Sequence, residues 1–387
     1  MVAPCVFGEE FFYKHEVGDK YRIVSTVNEN VYFDQRLSHR AEILNRITME
    51  VKGVEGDRAI HEAVFLSAEK ATGISGGQSF QWSKEYISEF GRDKSGAIKI
   101  DDSYFMPVVR NVPVFPDRDI KEGETWSAEG TEVHDFRDSF GIGEPYRIPF
   151  KADYTFLGNL EWKDRTFPSF SVSYRVFSEP KIVNGRIWPV RIQGASDQIV
   201  YWDSELGQAA AYEESFRIIF ELSSGMTVEY RGRAVGEIIE ATLMDKKKLA
   251  EEIAGDIDRL GIPDTTVRIV DEGITIAMEN IQFEADSAIL FKTEKDKLDK
   301  IAEILAKFAD RDILVGGHTA LAGTAAGRMQ LSVERAGSVA DYLISKKVRT
   351  PERVVVRGYG AEKPLGDNST EAGRRQNRRV EITILEN

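Results

Sequence analysis

Five histidines are the first residues to examine for catalysis or metal binding: His15, His39, His61, His134 and His318. None stands at the short spacing from a second histidine or cysteine that a zinc site requires. His134-Asp135, with Asp138 nearby, offers an imidazole and acids for a base and its orienter. No nucleophile or further ligand accompanies them, so the segment reads as a polar loop. Gly73-Ile74-Ser75-Gly76-Gly77 is glycine-rich but lacks the lysine and strand–helix setting of a phosphate loop, and reads as a flexible hairpin loop. Ser139-Phe140-Gly141-Ile142-Gly143 is too short for that role. Asp101 and Asp102 are adjacent, and on a strand or turn successive side chains point apart, so they make no paired carboxylate. Nothing here assembles an active site. The chain is expected to be non-enzymatic, with no cofactor and no metal.

The bulk numbers narrow the partners. A chain of 387 residues is too long for one ordinary core, so two or three domains are expected. Hydrophobic residues at 42% and charged residues at 30% are normal for a soluble globular protein. The net charge is -13 and the pI about 5.1. A protein that tracks phosphates needs a basic surface, so nucleic acid is excluded as a partner, as is direct attraction to an anionic membrane. The single cysteine, Cys5, rules out an intrachain disulfide. It follows Ala3-Pro4, a slight echo of the end of a lipoprotein signal, but no apolar stretch precedes it, so the start reads as cleaved or trimmed. No apolar run reaches the roughly 18 residues of a transmembrane helix.

Two kinds of element must position whatever site exists. From Phe11 to Ala241 the pattern is β. In Ala41–Val51, Ile43, Ile47, Met49 and Val51 share one parity, with Arg46, Thr48 and Glu50 on the other, as in a half-buried strand. Phe170, Val172, Tyr174 and Val176 alternate likewise. Phe216–Leu222 and Met226–Val235 flank Ser223-Ser224-Gly225 as a hairpin. Pro107, Pro113 and Pro116 cannot donate to a central ladder, so that stretch reads as a linker or edge crossing. The aromatic residues of this part, from Trp126 to Trp202, are expected to fill a sandwich or barrel core.

Thr242 to Leu260 carries apolar residues at helical spacing and stops at Gly261-Ile262-Pro263, a helical connector. Thereafter strands and helices alternate. Thr265–Met278 reads as a hairpin across Asp271-Glu272-Gly273. Thr293 is expected to cap a helix whose inner stripe is Leu298, Ile301, Ile304, Leu305 and Phe308. Ile313–Gly317 is a short buried strand, 328–345 a long helix, Arg353–Arg357 a strand and Arg379–Leu385 a final alternating strand. The expected fold is multidomain. Residues 1–108 and 109–242 form β-rich modules, antiparallel sandwiches or curved sheets, with one continuous β domain over both as the alternative; 243–264 is the connector; and 265–387 is an α+β domain.

The last segment carries a motif. Gly317-His318-Thr319-Ala320-Leu321-Ala322-Gly323 is followed by Leu331-Ser332-Val333-Glu334-Arg335-Ala336. With Ile281-Gln282-Phe283, Arg357-Gly358-Tyr359-Gly360 and Asn377-Arg378-Arg379-Val380-Glu381, these residues resemble the OmpA-like C-terminal domain family, which grips peptidoglycan. The resemblance covers roughly the last third of the chain. The family signature runs G-H-T-D-x-x-G and then N-x-x-L-S-x-x-R-A. Here Ala320 holds the aspartate position and Arg328 the asparagine position.

What the resemblance implies is a site for the free end of diaminopimelate, an ammonium beside a carboxylate. A carboxylate on the protein meets the ammonium, and a guanidinium meets the carboxylate. Arg335 would supply the guanidinium, and Thr319 belongs to the same loop. Ala320 supplies no acid; stranding half of an ion pair costs a few kcal/mol, roughly a hundredfold in affinity. Arg328 brings a cation toward the place of the ammonium. Glu334 and Asp341, on the same helix, are the acids available to compensate. Lysine- or ornithine-type walls lack the distal carboxylate but keep the ammonium, so the change is no simple retuning. The expected protein is a tethering protein of the cell envelope, periplasmic or associated with the outer membrane. Its partner is peptidoglycan or a wall fragment held by a divergent mode, or another envelope protein. Two alternatives follow from the same resemblance: an outer-membrane β-barrel with a wall-binding tail, or a wall-modifying enzyme targeted by that tail.

Overall fold

Strands dominate the first two thirds of the chain, as period-two patterning requires. The structure, a computed structural model, describes residues 8–70, 79–181, 187–240, 244–270, 272–279, 281–283 and 288–386. The readings of Cys5, of Gly73–Gly77 and of the helix start at Thr242 fall outside those residues. Two compact units result: residues 1–67 with 84–240, and residues 68–83 with 241–387.

The strands are β1 (Lys20–Phe33), β2 (Arg36–Glu55), β3 (Arg58–Lys70), β4 (Phe80–Asp93), β5 (Ile98–Ile100), β6 (Val109–Arg110), β7 (Thr125–His134), β8 (Tyr146–Trp162), β9 (Arg165–Ser178), β10 (Pro189–Asp203), β11 (Gln208–Leu222) and β12 (Thr227–Glu240), with one helical turn, α1 (Arg137–Phe140). In the first unit, antiparallel pairing runs β7–β8–β9–β10–β11–β12–β1–β2. Two of its hairpins use two-residue turns, Asp34-Gln35 and Lys163-Asp164, and all four residues have positive φ, the handedness that matches strand twist. The hairpin expected across Ser223-Ser224-Gly225 is present as β11–β12.

On β8, Ile148, Phe150, Ala152, Tyr154 and Phe156 are buried, while Pro149, Lys151 and Asp153 are exposed. On β9, Phe170, Val172, Tyr174 and Val176 are buried. The inner faces meet in an aromatic core, with Phe115 stacked on Phe11 at 5.3 Å and edge-on to Trp202 at 4.8 Å. Phe177 is the exception to the aromatic expectation: it has the opposite parity to Val176 and is 59% exposed.

Two sequence expectations differ from this unit. The proline-rich stretch does not divide it. Phe115 and Ile120 are buried in the core, and β1 pairs with β12 from Tyr21↔Glu240 to Phe33↔Val228, so one sheet spans the expected 108/109 boundary. On β2, Leu44 and Arg46 are buried while Ile43 and Ile47 are only half-buried. This long strand has protein on both faces, so a single buried parity does not describe it.

The second unit opens with α2 (Lys246–Leu260), capped by the Asp245 carboxylate, which accepts from Lys248 N at 3.1 Å, and ended by Gly261 in the left-handed conformation. It continues with β13 (Thr265–Val270), β14 (Gly273–Glu279), α3 (Lys292–Ala306), β15 (Ile313–Gly317), α4 (Ala325–Ser345), β16 (Val354–Gly358), α5 (Glu371–Asn377) and β17 (Arg379–Leu385). The sheet order is β13–β14–β17–β15–β16, with β15 and β16 parallel. Phe80 and Gln81, which belong to this unit, pair in parallel with Val355 and Val356. Ile253 and Ile257 of α2 are buried in the same cluster as Ile274, Leu298 and Val339, so the expected connector is part of this core. The α3 stripe is buried as expected. Its cap is not Thr293. Phe291 stands at the N-cap without a side-chain bond, because the bridge Phe283↔Leu290 fixes where the chain leaves extended structure.

Candidate functional site

The Gly317–Gly323 loop leaves the end of β15 and is pinned by its neighbours. Thr319 N donates to Gly360 O at 2.8 Å, and Leu321 N to Asn368 Oδ1 at 3.0 Å. Asn377 organises the loop between β16 and α5, accepting from Leu365 N and Gly366 N and donating to Asn368 Oδ1 at 2.9 Å. The buried Ser332 hydroxyl of α4 accepts from Gly360 N at 3.0 Å. Glycine is required where strands meet this helix. A Cβ on Gly317 would lie 1.9 Å from Ser332 O, and one on Gly358 2.6 Å from Ser332 Oγ. Gly360 has φ +50, as expected of a turn glycine; Gly358 is glycine for close approach instead.

Thr319 and Ala320 are each only 7% exposed. The Thr319 hydroxyl has no hydrogen-bond partner among the described residues. Arg328 and Arg335, on α4, are half-buried. Arg328 does not reach outward: its Nη1 donates to Gly323 O at 2.6 Å, clamping the end of the loop. Arg335 lies with its guanidinium 4.9 Å from the centre of the Phe283 ring. The two acids of α4 that sequence offers as compensation have partners elsewhere. Glu334 accepts from Gln330 Nε2 at 2.8 Å, and Asp341 from Ser79 N at 3.2 Å.

Behind the loop is a buried charge network. His318 stacks on Tyr359 at 4.8 Å, and its Nε2 lies 3.5 Å from Glu381 Oε2. Glu381 also pairs with Arg379 at 2.6 Å and with Arg268. Burial pushes the Glu381 carboxyl up, but the hydrogen bond and charge of His318, with Arg379, outweigh it and hold it well below the usual range. Burial in turn lowers His318. Arg379 donates to Lys363 O at 3.0 Å, and Arg378 to Glu371 at 2.8 Å, so both brace the loop region. Arg357 stacks on Trp82 at 4.3 Å and on Tyr359 at 5.0 Å.

The expected site residues thus gather around one loop and one helix, with a guanidinium, a spare hydroxyl and a methyl at position 320. Sequence reasoning missed Glu381 and Arg268 as partners of His318, which lie far along the chain from it. It also missed Phe283 beneath Arg335, although Phe283 is one of the motif landmarks. Among the described residues, no group of three or more His, Cys, Asp and Glu side chains is arranged to hold a metal. His134, the last residue of β7, pairs with Glu132 at 2.9 Å, and Asp135 is held by Arg137 and Tyr86, so the segment expected as a polar loop is a strand end running into α1.

Comparison with known proteins bears on this unit. Residues 282–378 match the sequence model of the OmpA family, so the chain carries an OmpA-family domain there. No family model matches the N-terminal two thirds. The chain is similar to outer membrane protein A of Bordetella avium, 38% identical over 103 residues, which are 27% of this chain and 53% of that one. It is similar to the peptidoglycan-binding protein ArfA of Mycobacterium tuberculosis H37Rv, 34% identical over 104 residues, 27% of this chain and 32% of that one. Among solved structures, an outer membrane protein from Borrelia burgdorferi B31 is 35% identical, covering 31% of this chain and 96% of that one, with a TM-score of 0.26. The chain therefore spans about a third to about half of the length of these curated relatives.

Proposed function

We propose that this is a non-enzymatic tethering protein of the cell envelope, periplasmic or associated with the outer membrane. Its OmpA-family domain docks at the wall with the diaminopimelate grip weakened or lost. The single observation that carries the second half is Ala320. It is nearly buried in the pinned loop, and a methyl there accepts no hydrogen bond and balances no ammonium. The nearest substitutes on α4, Glu334 and Asp341, are engaged elsewhere, and Glu381 is tied to His318 and Arg379. Arg335 and the Thr319 hydroxyl are what remain to contact a wall fragment.

The outward parity of the β unit supports an envelope protein that is not embedded in the membrane. Lys151, Asp153, Arg175 and Arg191 lie on exposed strand faces, where a lipid-facing band would be apolar. The test is co-sedimentation of the full chain with purified sacculi containing diaminopimelate, beside the double variant Ala320→Asp, Arg328→Asn. The reading expects weak retention of the wild type, insensitive to free diaminopimelate, and stronger, competable retention of the variant. Strong wild-type retention displaced by free diaminopimelate would overturn it, and would point to another acid, such as the exposed Glu362 of the β16–α5 loop.

A further inference from the structure

The first unit contains a cavity of about 220 Å³, larger than the ~150 Å³ apolar cavity that admits benzene. Its wall is mainly apolar, with Met49 of β2 and Val200 of β10 among the lining side chains. Of the side chains lining it, Arg92 of β4 is the only cation. The Arg92 guanidinium lies 4.7 Å from the centre of the Tyr13 ring and 5.5 Å from that of Phe90. Its buried Nε has no hydrogen-bond partner among the described residues; the guanidinium is hydrogen-bonded to the Tyr21 side chain, a neutral partner, and no described carboxylate forms an ion pair with it.

The one acid in the wall, Glu214 of β11, is committed elsewhere. It accepts from Ser196 Oγ at 2.7 Å and from Gln198 Nε2 at 3.3 Å. Burial pushes its carboxyl up, toward the neutral form. Tyr21 beside Arg92 is pushed up to about 12 by burial, and His15 is held down at about 4 by burial and by Arg92. At neutral pH, then, the neighbours of Arg92 are uncharged rings, and a cation facing an apolar cavity is costly without an anion.

We propose that this cavity binds a small amphipathic carboxylate, its apolar body against the wall and its carboxylate on Arg92. A planar guanidinium matches a carboxylate with two parallel hydrogen bonds. A phosphate monoester would bring about two charges to a site with one cation, and so fits less well.

The test is calorimetric titration of the full chain with octanoate and, as the uncharged control, octan-1-ol. The expected result is saturable binding of one octanoate per chain, with octan-1-ol about tenfold or more weaker, the loss of one charge-assisted contact. Arg92→Gln should weaken octanoate by about tenfold or more and leave octan-1-ol unchanged. Ala209→Phe, which fills the cavity, should abolish both. The proposal is overturned if the wild type shows no saturable octanoate binding, if octanoate and octan-1-ol bind equally, or if Arg92→Gln binds octanoate as the wild type does. The comparison of octanoate with octan-1-ol needs only the wild type, so a misfolded variant does not blunt the test.

Discussion

In the proposed reading, a methyl group at position 320 and a guanidinium at position 335 offer the loop of the OmpA-family domain only one half of a zwitterion receptor. That asymmetry was legible in the sequence, because both positions sit inside a motif of fixed spacing. Arg328 was legible only as a charge. Sequence placed it against an ammonium, whereas the structure turns it onto Gly323 O, where it shapes the loop. The cavity around Arg92 was not legible at all. Tyr13, Tyr21, Arg92 and Glu214 come from four separate stretches, and only the long-range strand pairing brings them together.

Two histidines of the first unit also set a pH dependence. His61 is fully buried, and burial, then Arg92 and His15, hold it down to about 3; His15 is held to about 4. Unfolding returns both to about 6.5. Between the folded and unfolded values the unfolded chain binds more protons, so stability rises with pH there and is lost as pH falls below about 6.5. The urea midpoint should therefore drop between pH 7 and pH 5, above most of the carboxylate range. His61→Leu should make that slope shallower. An unchanged slope in the variant would show that His61 is not a source of it.

At the scale of elements, helix and strand identities in the second unit followed from apolar spacing, and Gly261 ended α2 where sequence placed the stop. Boundaries set by tertiary contact were not readable. The start of α3 depends on a bridge between Phe283 and Leu290, and the parity of β2 on cover over both faces. The fit of β15 against α4 depends on having no side chain at Gly317. Gly317→Ala would force strand and helix apart and should cost about 1–3 kcal/mol, read as a lower urea midpoint. A wild-type midpoint would mean that the approach is looser than the 1.9 Å contact demands.

Arg349 makes a comparable link after α4. Its buried guanidinium donates to Arg311 O at 2.6 Å, to Leu305 O at 3.1 Å and to Phe308 O, satisfying carbonyls at and beyond the end of α3. Arg349→Met would leave the Arg311 carbonyl without its donor and take the second donor from Leu305 O and Phe308 O, which keep the N–H groups of Phe308 and Arg311, and should destabilise by about 2 kcal/mol in the same assay. A loss of less than half that would argue that water replaces the guanidinium.

Over the whole molecule, the acidic balance and the charged outward faces of the β strands argue for a protein that works beside a membrane or wall and not within lipid. The chain should remain in solution without detergent and stay at the bottom of a flotation gradient with phosphatidylglycerol vesicles. Co-flotation would instead favour a membrane-embedded β part. Composition alone gave this much. The boundary expected at 108/109 was misplaced, because β12, one partner of β1, lies some two hundred residues later and no local signal marks such closure.

The most direct measurement of the central claim is calorimetric titration of the full chain with meso-diaminopimelate, wild type against Ala320→Asp, Arg328→Asn. The account predicts no measurable heat of binding for the wild type and saturable binding for the double variant, at least about a hundredfold tighter. Wild-type binding equal to that of the variant would contradict it, because the acid at position 320 would then not be what the loop lacks.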